Sequence, residues 1–317
     1  MAVTELAGRI AVVTGGGNGM GRELVCQLAA AGAHVAACDL NDETLEQTAE
    51  LVTSRAASGV RITTHLCDVT DADAVAAFAA EVTEQHETDH INLLFNNAGI
   101  GHGGSFVIDD QRAAWDKTFE VCWNGVLNCA RAFMNLLVRS DAAAIVNTSS
   151  AMAVWASLGP GVTDTAYCAA KFAVKGFTEA LMVDLAQHAP HVSAHVVIPG
   201  HIGTLIDLNS VSAHGLDAPV LRKTVAARGV ALDQSSDAEV EALVLDLYTR
   251  FRDDAPTTAA EAAQIILAGV LASDWRILVG DDAHAIDNAV RADPESAYEP
   301  EFFERLRKAG YLQAFGR

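Results

Sequence analysis

The chain has 317 residues, half of them hydrophobic, and 41 acidic against 21 basic residues give it a net charge of −20. No cluster of Lys and Arg interrupts this acidic balance, so we exclude nucleic acid as a partner. No apolar run approaches the ~20 residues that cross a bilayer, and no basic region followed by an apolar run opens the chain, so we expect a soluble, cytoplasmic protein that binds no membrane.

Short β-branched apolar runs alternate with helix-length stretches along most of the chain. We predict strands at 9–14, 34–38, 61–66, 91–95, 144–148, 192–198 and 276–279. We predict helices at 19–31, 42–57, 71–87, 110–138, 165–187 and 257–272. This alternation is typical of parallel strands joined by helices. The sequence therefore predicts an α/β fold, a Rossmann-type doubly wound parallel sheet of about seven strands in a three-layer α/β/α single domain.

A glycine-rich segment, TGGGNGMG at 14–21, follows the first strand and opens the first helix. This is the context of a phosphate-binding turn, because glycine permits a tight turn and lets backbone N–H groups approach a pyrophosphate. A flexible turn is the alternative, which the context disfavours. We expect contacts to a dinucleotide from Gly15, Asn18, Gly19 and Met20.

An acidic residue, Asp39, ends the second strand, where a carboxylate accepts hydrogen bonds from a ribose diol. The same carboxylate would repel a 2′-phosphate, and neither Asn18 nor the adjacent Leu40 carries a positive charge to offset that repulsion. We therefore expect NAD as the cofactor, in preference to NADP. The alternative for Asp39 is a local turn and helix cap, and the two roles can coexist.

Two further strand ends carry polar residues. Asp68, followed by Val69, is expected to contact the adenine edge, since Thr70 with an acid three residues on is predicted to cap the next helix. Local turn bonding is the alternative for Asp68. The segment NNAG at 96–99 follows the fourth strand on the same sheet edge, where ligands of open α/β sheets bind. It is expected to supply Asn96, Ala98 and Gly99, although an ordinary turn is equally compatible.

Tyr167 and Lys171 are four residues apart at the start of a predicted helix, so their side chains share one face. Ser150 ends the preceding strand and is expected to hold the substrate oxygen. Tyrosine ionises near pH ~10, so acting as a base near pH ~7 requires its pKa to fall by about 3, or about 4 kcal/mol. The Lys171 ammonium and an oxidised nicotinamide ring together favour the phenolate. The pattern indicates hydride transfer with Tyr167 as general acid and base.

In this order the motifs resemble the short-chain dehydrogenase/reductase family in its single-domain form. The matching features are TGxxxGxG at 14–21, Asp39, Asp68, NNAG at 96–99, Asn124, Ser150, YxxxK at 167–171, and Pro199-Gly200 with Thr204. The resemblance implies that Asn124 fixes Lys171 through water and completes the catalytic set. It further implies cofactor contacts from Pro199, Gly200, Ile202 and Thr204, and from Tyr167 and Lys171. A homo-oligomer, tetramer or dimer, is implied through the helices that begin at 110 and 165.

The chain departs from the family pattern in two places. Ser150 and Tyr167 are 17 residues apart, more than is usual, so we expect an insertion with Trp155, Leu158 and the segment 159–161 near the substrate. The segment 201–255 breaks the strand and helix alternation and is too long for a simple connector. We interpret it as a variable substrate loop or lid whose size favours a bulky, hydrophobic substrate.

The same reasoning divides the chain into an NAD-binding catalytic domain at 1–280 and a C-terminal extension at 281–317, which we expect to lie on the surface or on a neighbouring subunit. His102 and His201 are possible pocket residues, but loop histidines at solvent are favoured. No His, Asp or Glu spacing predicts a metal site. The six cysteines form no CxxC pair and are interpreted as reduced core residues.

The expected function is NAD-dependent interconversion of a secondary alcohol and a ketone, on a small hydrophobic substrate. An NADH-dependent reductase of a 3-oxoacyl or steroid-type ketone is the alternative within the same class. A non-catalytic NAD-binding sensor is the alternative from another class. A sensor predicts a damaged catalytic set, whereas Asn124, Ser150, Tyr167 and Lys171 are all present.

Overall fold

A computed structural model of the protein describes residues 3–108, 111–157, 164–216, 218–227, 232 and 235–312. Seven parallel strands form the central sheet in the order β3-β2-β1-β4-β5-β6-β9. These strands are β1 (Ile10–Thr14), β2 (His34–Asp39), β3 (Ile62–Leu66), β4 (Leu93–Asn96), β5 (Ala143–Thr148), β6 (Val192–Pro199) and β9 (Arg276–Val279). The predicted Rossmann-type sheet is thereby confirmed, with each predicted strand within two residues of its observed bounds.

Helices cover both faces of the sheet. They are α1 (Gly19–Ala30), α2 (Asp42–Thr53), α3 (Ala72–Gln85), α4 (Arg112–Phe119), α5 (Gly125–Val138), α6 (Thr165–His188), α7 (Ile206–His214), α8 (Ala218–Ala227), α9 (Asp237–Asp253), α10 (Ala259–Leu271), α11 (Asp281–Ala292) and α12 (Pro300–Lys308). The apolar sides of α1, α2 and α10 pack on one face, and those of α3, α5 and α6 on the other. Strands covered on both faces are buried along their whole length, as β1 and β5 are here, and the first four residues of each are apolar.

The order of the strands switches direction at β1 and β4, which are direct neighbours in the sheet. The strands β2 and β3 follow on the side of β1, and β5, β6 and β9 follow on the side of β4. Their carboxyl ends carry the glycine turn after Thr14 and the NNAG segment that begins at Asn96. A crevice opens at such a switch point in doubly wound sheets, because the flanking helices leave in opposite directions. The topology thus brings the two motifs to one edge of the sheet.

The predicted helix at 110–138 is not continuous. A π turn, Glu120–Asn124, separates α4 from α5, and residue 110 lies outside the described residues. Insertion of one residue into a helix re-aims the side chains around it, and π turns often occur at functional sites. The Gly125 backbone also lies so close to Val69 that an added Cβ would be 2.7 Å from Val69 Cγ2. Periodicity alone does not reveal this break.

The segment 201–255, read from sequence as irregular, holds α7, α8 and α9 together with the short strand β7 (Ile202–Gly203). β7 pairs with β8 (Thr257–Thr258) outside the main sheet. The helices share a separate apolar cluster of Leu221, Val225, Val240, Val244 and Tyr248. The capping box that opens α9, formed by Ser236 and Glu239, was a sequence signal for that helix.

The segment after β9 forms α11 and α12, which pack on their own chain. Phe302 and Phe303 of α12 contact Trp155, and Trp155 Nε1 donates to the Ala297 carbonyl at 2.6 Å. All six cysteines are buried thiols, as predicted. No helix in the described part of the chain combines the length and the apolar character needed to span a membrane.

Candidate active site

The glycine turn and the NNAG segment touch each other. Gly15 has a φ of +67°, and a Cβ added there would be 2.9 Å from Ala98 Cα. Thr14 Oγ1 accepts the N–H groups of Asn97 and Ala98, each at 3.0 Å. Asn97 Nδ2 returns a bond of 3.1 Å to the Thr14 carbonyl. A glycine cradle of this kind fits the close approach of a dinucleotide pyrophosphate.

The two asparagines of the NNAG segment play different parts. Asn97, absent from our predicted set, holds the glycine turn. Asn96 is buried and donates through Nδ2 to Asn147 Oδ1 at 2.7 Å, and Asn147 in turn donates to Thr178 Oγ1 at 3.0 Å. Asn18 caps α1, its side chain accepting from the Gly19 N–H. Adjacent identical residues could not be assigned to these roles from spacing alone.

Asp39 lies against the glycine turn. Its Oδ2 accepts the Gly17 N–H at 3.0 Å, and its Oδ1 accepts the N–H of Leu40 at 2.8 Å and of Asn41 at 3.2 Å. The local turn expected as the alternative for Asp39 is therefore present, and it is compatible with a ribose contact by the same carboxylate. Arg22, which the sequence analysis overlooked, donates to the Gly17 carbonyl from behind the turn at 2.6 Å.

Asp68 accepts the Thr70 N–H and hydroxyl through Oδ1, at 2.9 and 2.7 Å, so the local turn bonding is present. The prediction that Thr70 caps α3 is wrong. Asp71 is the cap and accepts from the second and third residues of its turn, because its carboxylate stands one residue closer to the helix. Val69 is buried, and its carbonyl accepts from Asn128 Nδ2 on α5 at 3.0 Å.

Ser150, Tyr167 and Lys171 converge at the carboxyl ends of β5 and β6. The Ser150 hydroxyl lies beside the Tyr167 phenol and lowers its pKa. Lys171 Nζ lies 5.4 Å from the centroid of the Tyr167 ring and donates to the Thr148 carbonyl at 2.9 Å. Ser149 Oγ instead donates to the Lys171 carbonyl at 2.8 Å. Of the two adjacent serines, Ser150 therefore faces the tyrosine and Ser149 faces the backbone of α6.

Burial raises the pKa of Tyr167 above its usual value, and the neighbouring Cys122 adds to this effect. The neighbouring Ser150 hydroxyl acts in the opposite direction, but burial outweighs it and the net shift of the Tyr167 pKa is upward. Burial also raises the pKa of the Cys122 thiol, whose Sγ donates to the Ile100 carbonyl at 3.0 Å. The proximity of Cys122 was not predicted.

Asn124 is the last residue of the π turn, which packs against α6. The ring of Trp123, the preceding residue, packs on Phe177 of α6, the helix that carries Tyr167 and Lys171. The role of Asn124 stays a prediction.

The segment that follows β6 runs from Pro199 to the glycine turn. Thr204 lies against Gly19, where an added Cβ would be 3.1 Å from Thr204 Cγ2. Ile202 is buried in the apolar core, so only its backbone can face the crevice. His201 is buried as well, with its ring 4.1 Å from the ring of Phe251 and its Nε2 donating to the Phe251 carbonyl. The favoured placement of His201 at solvent is wrong, because α9 covers it.

His102 also departs from the expected solvent position. It is held at a φ of +68°, only 18% of its side chain is exposed, and its Nε2 lies 3.5 Å from Asp207 Oδ1 on α7. Trp155, expected near the substrate, is buried at 2% exposure against α12, since a large indole gains most by burial with a partner for its N–H. Leu158 and 159–161 lie outside the described residues.

Asp164 is a buried carboxyl that the sequence analysis did not single out. It precedes α6, and its side chain accepts from the Tyr167 N–H and from the His102 N–H. Burial raises its pKa to about 7. In the described part of the chain, no three His, Cys, Asp or Glu side chains are grouped as metal ligands.

Comparisons with known proteins agree on one family. A family model for the short chain dehydrogenases matches residues 9–214. SadH of Mycobacterium tuberculosis, named as an oxidoreductase, is 31% identical over 313 residues, which cover 99% of both chains.

Two solved structures are similar. One is a short chain dehydrogenase/reductase from Burkholderia phymatum in complex with NAD, with a TM-score of 0.73 and 25% identity over 93% of this chain and 97% of that one. The other is a metagenomic short-chain oxidoreductase in complex with NADP, with a TM-score of 0.52 and 29% identity over 61% of this chain and 83% of that one. The chain therefore belongs to the short-chain dehydrogenase/reductase family and is an oxidoreductase of that family.

Proposed function

We propose that the protein is an NAD-dependent dehydrogenase that interconverts a secondary alcohol and a ketone. The observation that carries the proposal is the placement of Tyr167 beside both Ser150 and Lys171, at the sheet edge that also carries the glycine turn. Together these groups supply a proton donor, a partner for the substrate oxygen and a positive charge within one crevice.

Each catalytic side chain has a distinct part in the proposal. Ser150 holds the substrate oxygen beside the Tyr167 hydroxyl. In ketone reduction Tyr167 donates its proton to that oxygen, and its raised pKa keeps the proton available. In alcohol oxidation Tyr167 accepts the proton, which the Lys171 charge favours. Asn124 completes the relay through water.

The residues assigned to the cofactor fit a dinucleotide. The pyrophosphate would be held by Gly15, Asn18, Gly19 and Met20. The adenosine ribose would be held by Asp39 with Leu40, and the adenine by Asp68 and Val69. The nicotinamide half would be held by Asn96, Ala98, Gly99, Tyr167, Lys171, Pro199, Gly200, Ile202 and Thr204. When bound, NAD supplies the hydride acceptor and a positively charged ring beside Tyr167. The Asp39 carboxylate supports NAD over NADP, since it would repel a 2′-phosphate.

We assign 1–280 to the catalytic domain, 201–255 to a lid over the substrate and 281–317 to a C-terminal extension. The residues of the lid are the basis on which we propose the substrate class. The apolar cluster of α8 and α9 supports a hydrophobic substrate. We further propose a cytoplasmic homo-oligomer, tetramer or dimer, in which α6 packs on a second copy. Phe172 and Val183 on α6 are 41% and 62% exposed, which supports that contact.

The proposal is tested by absorbance of reduced nicotinamide, with NAD or NADP and a panel of neutral secondary alcohols. Tyr167→Phe removes the transferable proton and is expected to lower kcat by at least ~100-fold. Calorimetric binding of NAD should stay unchanged, because the ring remains. Tyr311→Phe, beyond α12, is the matched control and should keep full activity. Substantial turnover by Tyr167→Phe would refute the mechanism, and tight NAD binding without turnover on any substrate would favour the sensor.

A further inference from the structure

Asp282 is a buried carboxylate with no part in the reaction described above. It is the second residue of α11 and 5% exposed. Its Oδ2 accepts the His201 N–H at 2.5 Å, and its Oδ1 accepts the Ala283 N–H at 3.0 Å. Among the ion pairs of the described residues, none includes Asp282. Two backbone N–H groups, one between β6 and β7 and one in the first turn of α11, thus bond this buried side chain, which would otherwise be costly to bury.

Two glycines make room for this carboxylate. A Cβ added to Gly200 would collide with Asp282 Oδ1, Cγ and Oδ2. Gly280 has a φ of +96°, and a Cβ added there would be 2.7 Å from Asp282 Oδ1. The carboxylate therefore lies directly against the backbone of Gly200. Any larger residue at 200 must displace either the Asp282 carboxylate or the backbone at 200.

The contact fixes the first part of the segment that follows β6. Gly200 N–H donates to the Val279 carbonyl at 2.9 Å, and His201 N–H donates to Asp282. From there the chain passes through buried Ile202 to Thr204, which lies against Gly19 of the glycine turn. Asp282 and Gly19 therefore hold opposite ends of one short span along the crevice.

We propose that Asp282 is a positioning residue that holds Gly200 and His201 so that the span 200–204 can bind the nicotinamide half of the dinucleotide. The inference rests on the proposed function. It connects the segment after β9 to the cofactor, since Asp282 belongs to the C-terminal extension and acts on residues 81 and 82 positions earlier in the chain.

Asp282→Asn is the sharpest test, because it keeps the size and removes one acceptor. Both Asp282 oxygens accept N–H groups, whereas an amide offers one oxygen and one NH₂, so one backbone N–H loses its partner. We expect NAD affinity to fall roughly tenfold or more, as one lost buried bond implies. ADP-ribose has the adenosine and pyrophosphate but no nicotinamide, so its affinity should change less than about twofold.

Asp287→Asn is the matched control. Asp287 lies on the same helix, is 2% exposed, and pairs with Arg276 at 2.7 Å and with Arg291 at 2.9 Å. Its loss weakens α11 without touching 200–204, so the ratio of NAD to ADP-ribose affinity should equal that of the unmodified protein. Both ligands are titrated by calorimetry, and the melting temperature of each variant is recorded.

The outcomes separate the two proposals. A selective loss of NAD binding in Asp282→Asn supports the positioning role. An equal loss of affinity for both ligands, or no loss for either, overturns it. Either result would show that Asp282 stabilises the fold but does not position the nicotinamide-binding span. If Asp282→Asn does not fold, Gly200→Ala disturbs the same contact from the other side and should give the same selective loss. If the unmodified protein binds neither ligand, the proposed function itself is refuted.

Discussion

Replacing Asp164 by Asn should change how the stability of the protein depends on pH. Asp164 precedes α6, where burial and the nearby Asp207 carboxylate raise its pKa from 3.8 to about 7. Between these two values the folded state binds a proton that the unfolded state has released. The free energy of unfolding therefore falls as pH rises through this window, which is opposite to the usual behaviour of a paired carboxylate.

The size of the effect follows from the difference in pKa. One pKa unit corresponds to about 1.4 kcal/mol, so ionising the buried carboxyl costs about 4 kcal/mol in full. Part of that cost is already present at pH 5, which leaves roughly 2 to 3 kcal/mol between pH 5 and pH 8. An amide at 164 has the size of the protonated carboxyl and still offers one acceptor oxygen, but it does not ionise. Relative to this variant, the unmodified protein should lose stability across the window.

Urea unfolding at pH 5, 6, 7 and 8 measures this difference for both proteins. Asp141→Asn is the control, because Arg9 lowers the pKa of the exposed Asp141 and its titration falls below the window. The control curve should therefore run parallel to that of the unmodified protein. If the curve of Asp164→Asn also runs parallel, Asp164 is ionised in the folded state and the argument from burial is wrong.

Two further predictions concern the cofactor and the C-terminal helix. Asp39→Asn removes the charge that repels a 2′-phosphate. It should lower the ratio of kcat/KM for NAD to kcat/KM for NADP by roughly tenfold or more, whereas Asp42→Asn, at an exposed position on α2, should leave this ratio unchanged. An unaltered ratio in Asp39→Asn would refute the cofactor assignment. Trp155→Phe removes part of the ring packed on α12 and leaves the Ala297 carbonyl without its N–H donor. Urea unfolding should therefore show a loss of at least about 1–3 kcal/mol, against almost none for Trp275→Phe, whose indole is 41% exposed. Equal losses in both tryptophan variants would show that neither the burial of Trp155 nor its hydrogen bond stabilises the fold.

Several features of the molecule could be read from the sequence because they are written in local patterns. Buried parallel strands require apolar runs of five or so residues, and their covering helices require apolar stripes, so the alternation is visible without any structure. The glycine turn depends on backbone freedom, which only the residue type decides. Seven strands and their bounds therefore followed from pattern alone.

The helices of the segments 201–255 and 281–312 were not predicted from the sequence. Helices α7, α8 and α9 pack on each other as a small separate cluster, so their apolar positions are few and mixed with polar ones. The π turn keeps helical spacing on both sides, and a periodic pattern does not reveal the inserted residue. Trp155 packs on Phe302 and Phe303, which lie far along the chain, so its burial could not be read from its neighbours in sequence.

The sequence by itself determined the layers of the fold and the edge of the sheet at which the motifs meet, since both depend on residue type and on neighbours along the chain. Only the tertiary structure decided which of two adjacent residues faces which partner. Ser149, beside the Ser150 chosen from sequence, bonds the Lys171 carbonyl, and Asn97 rather than Asn96 holds the glycine turn. Hydrogen bonds form between groups close in space, and the contact of Asp282 with His201 arises only when the chain has folded.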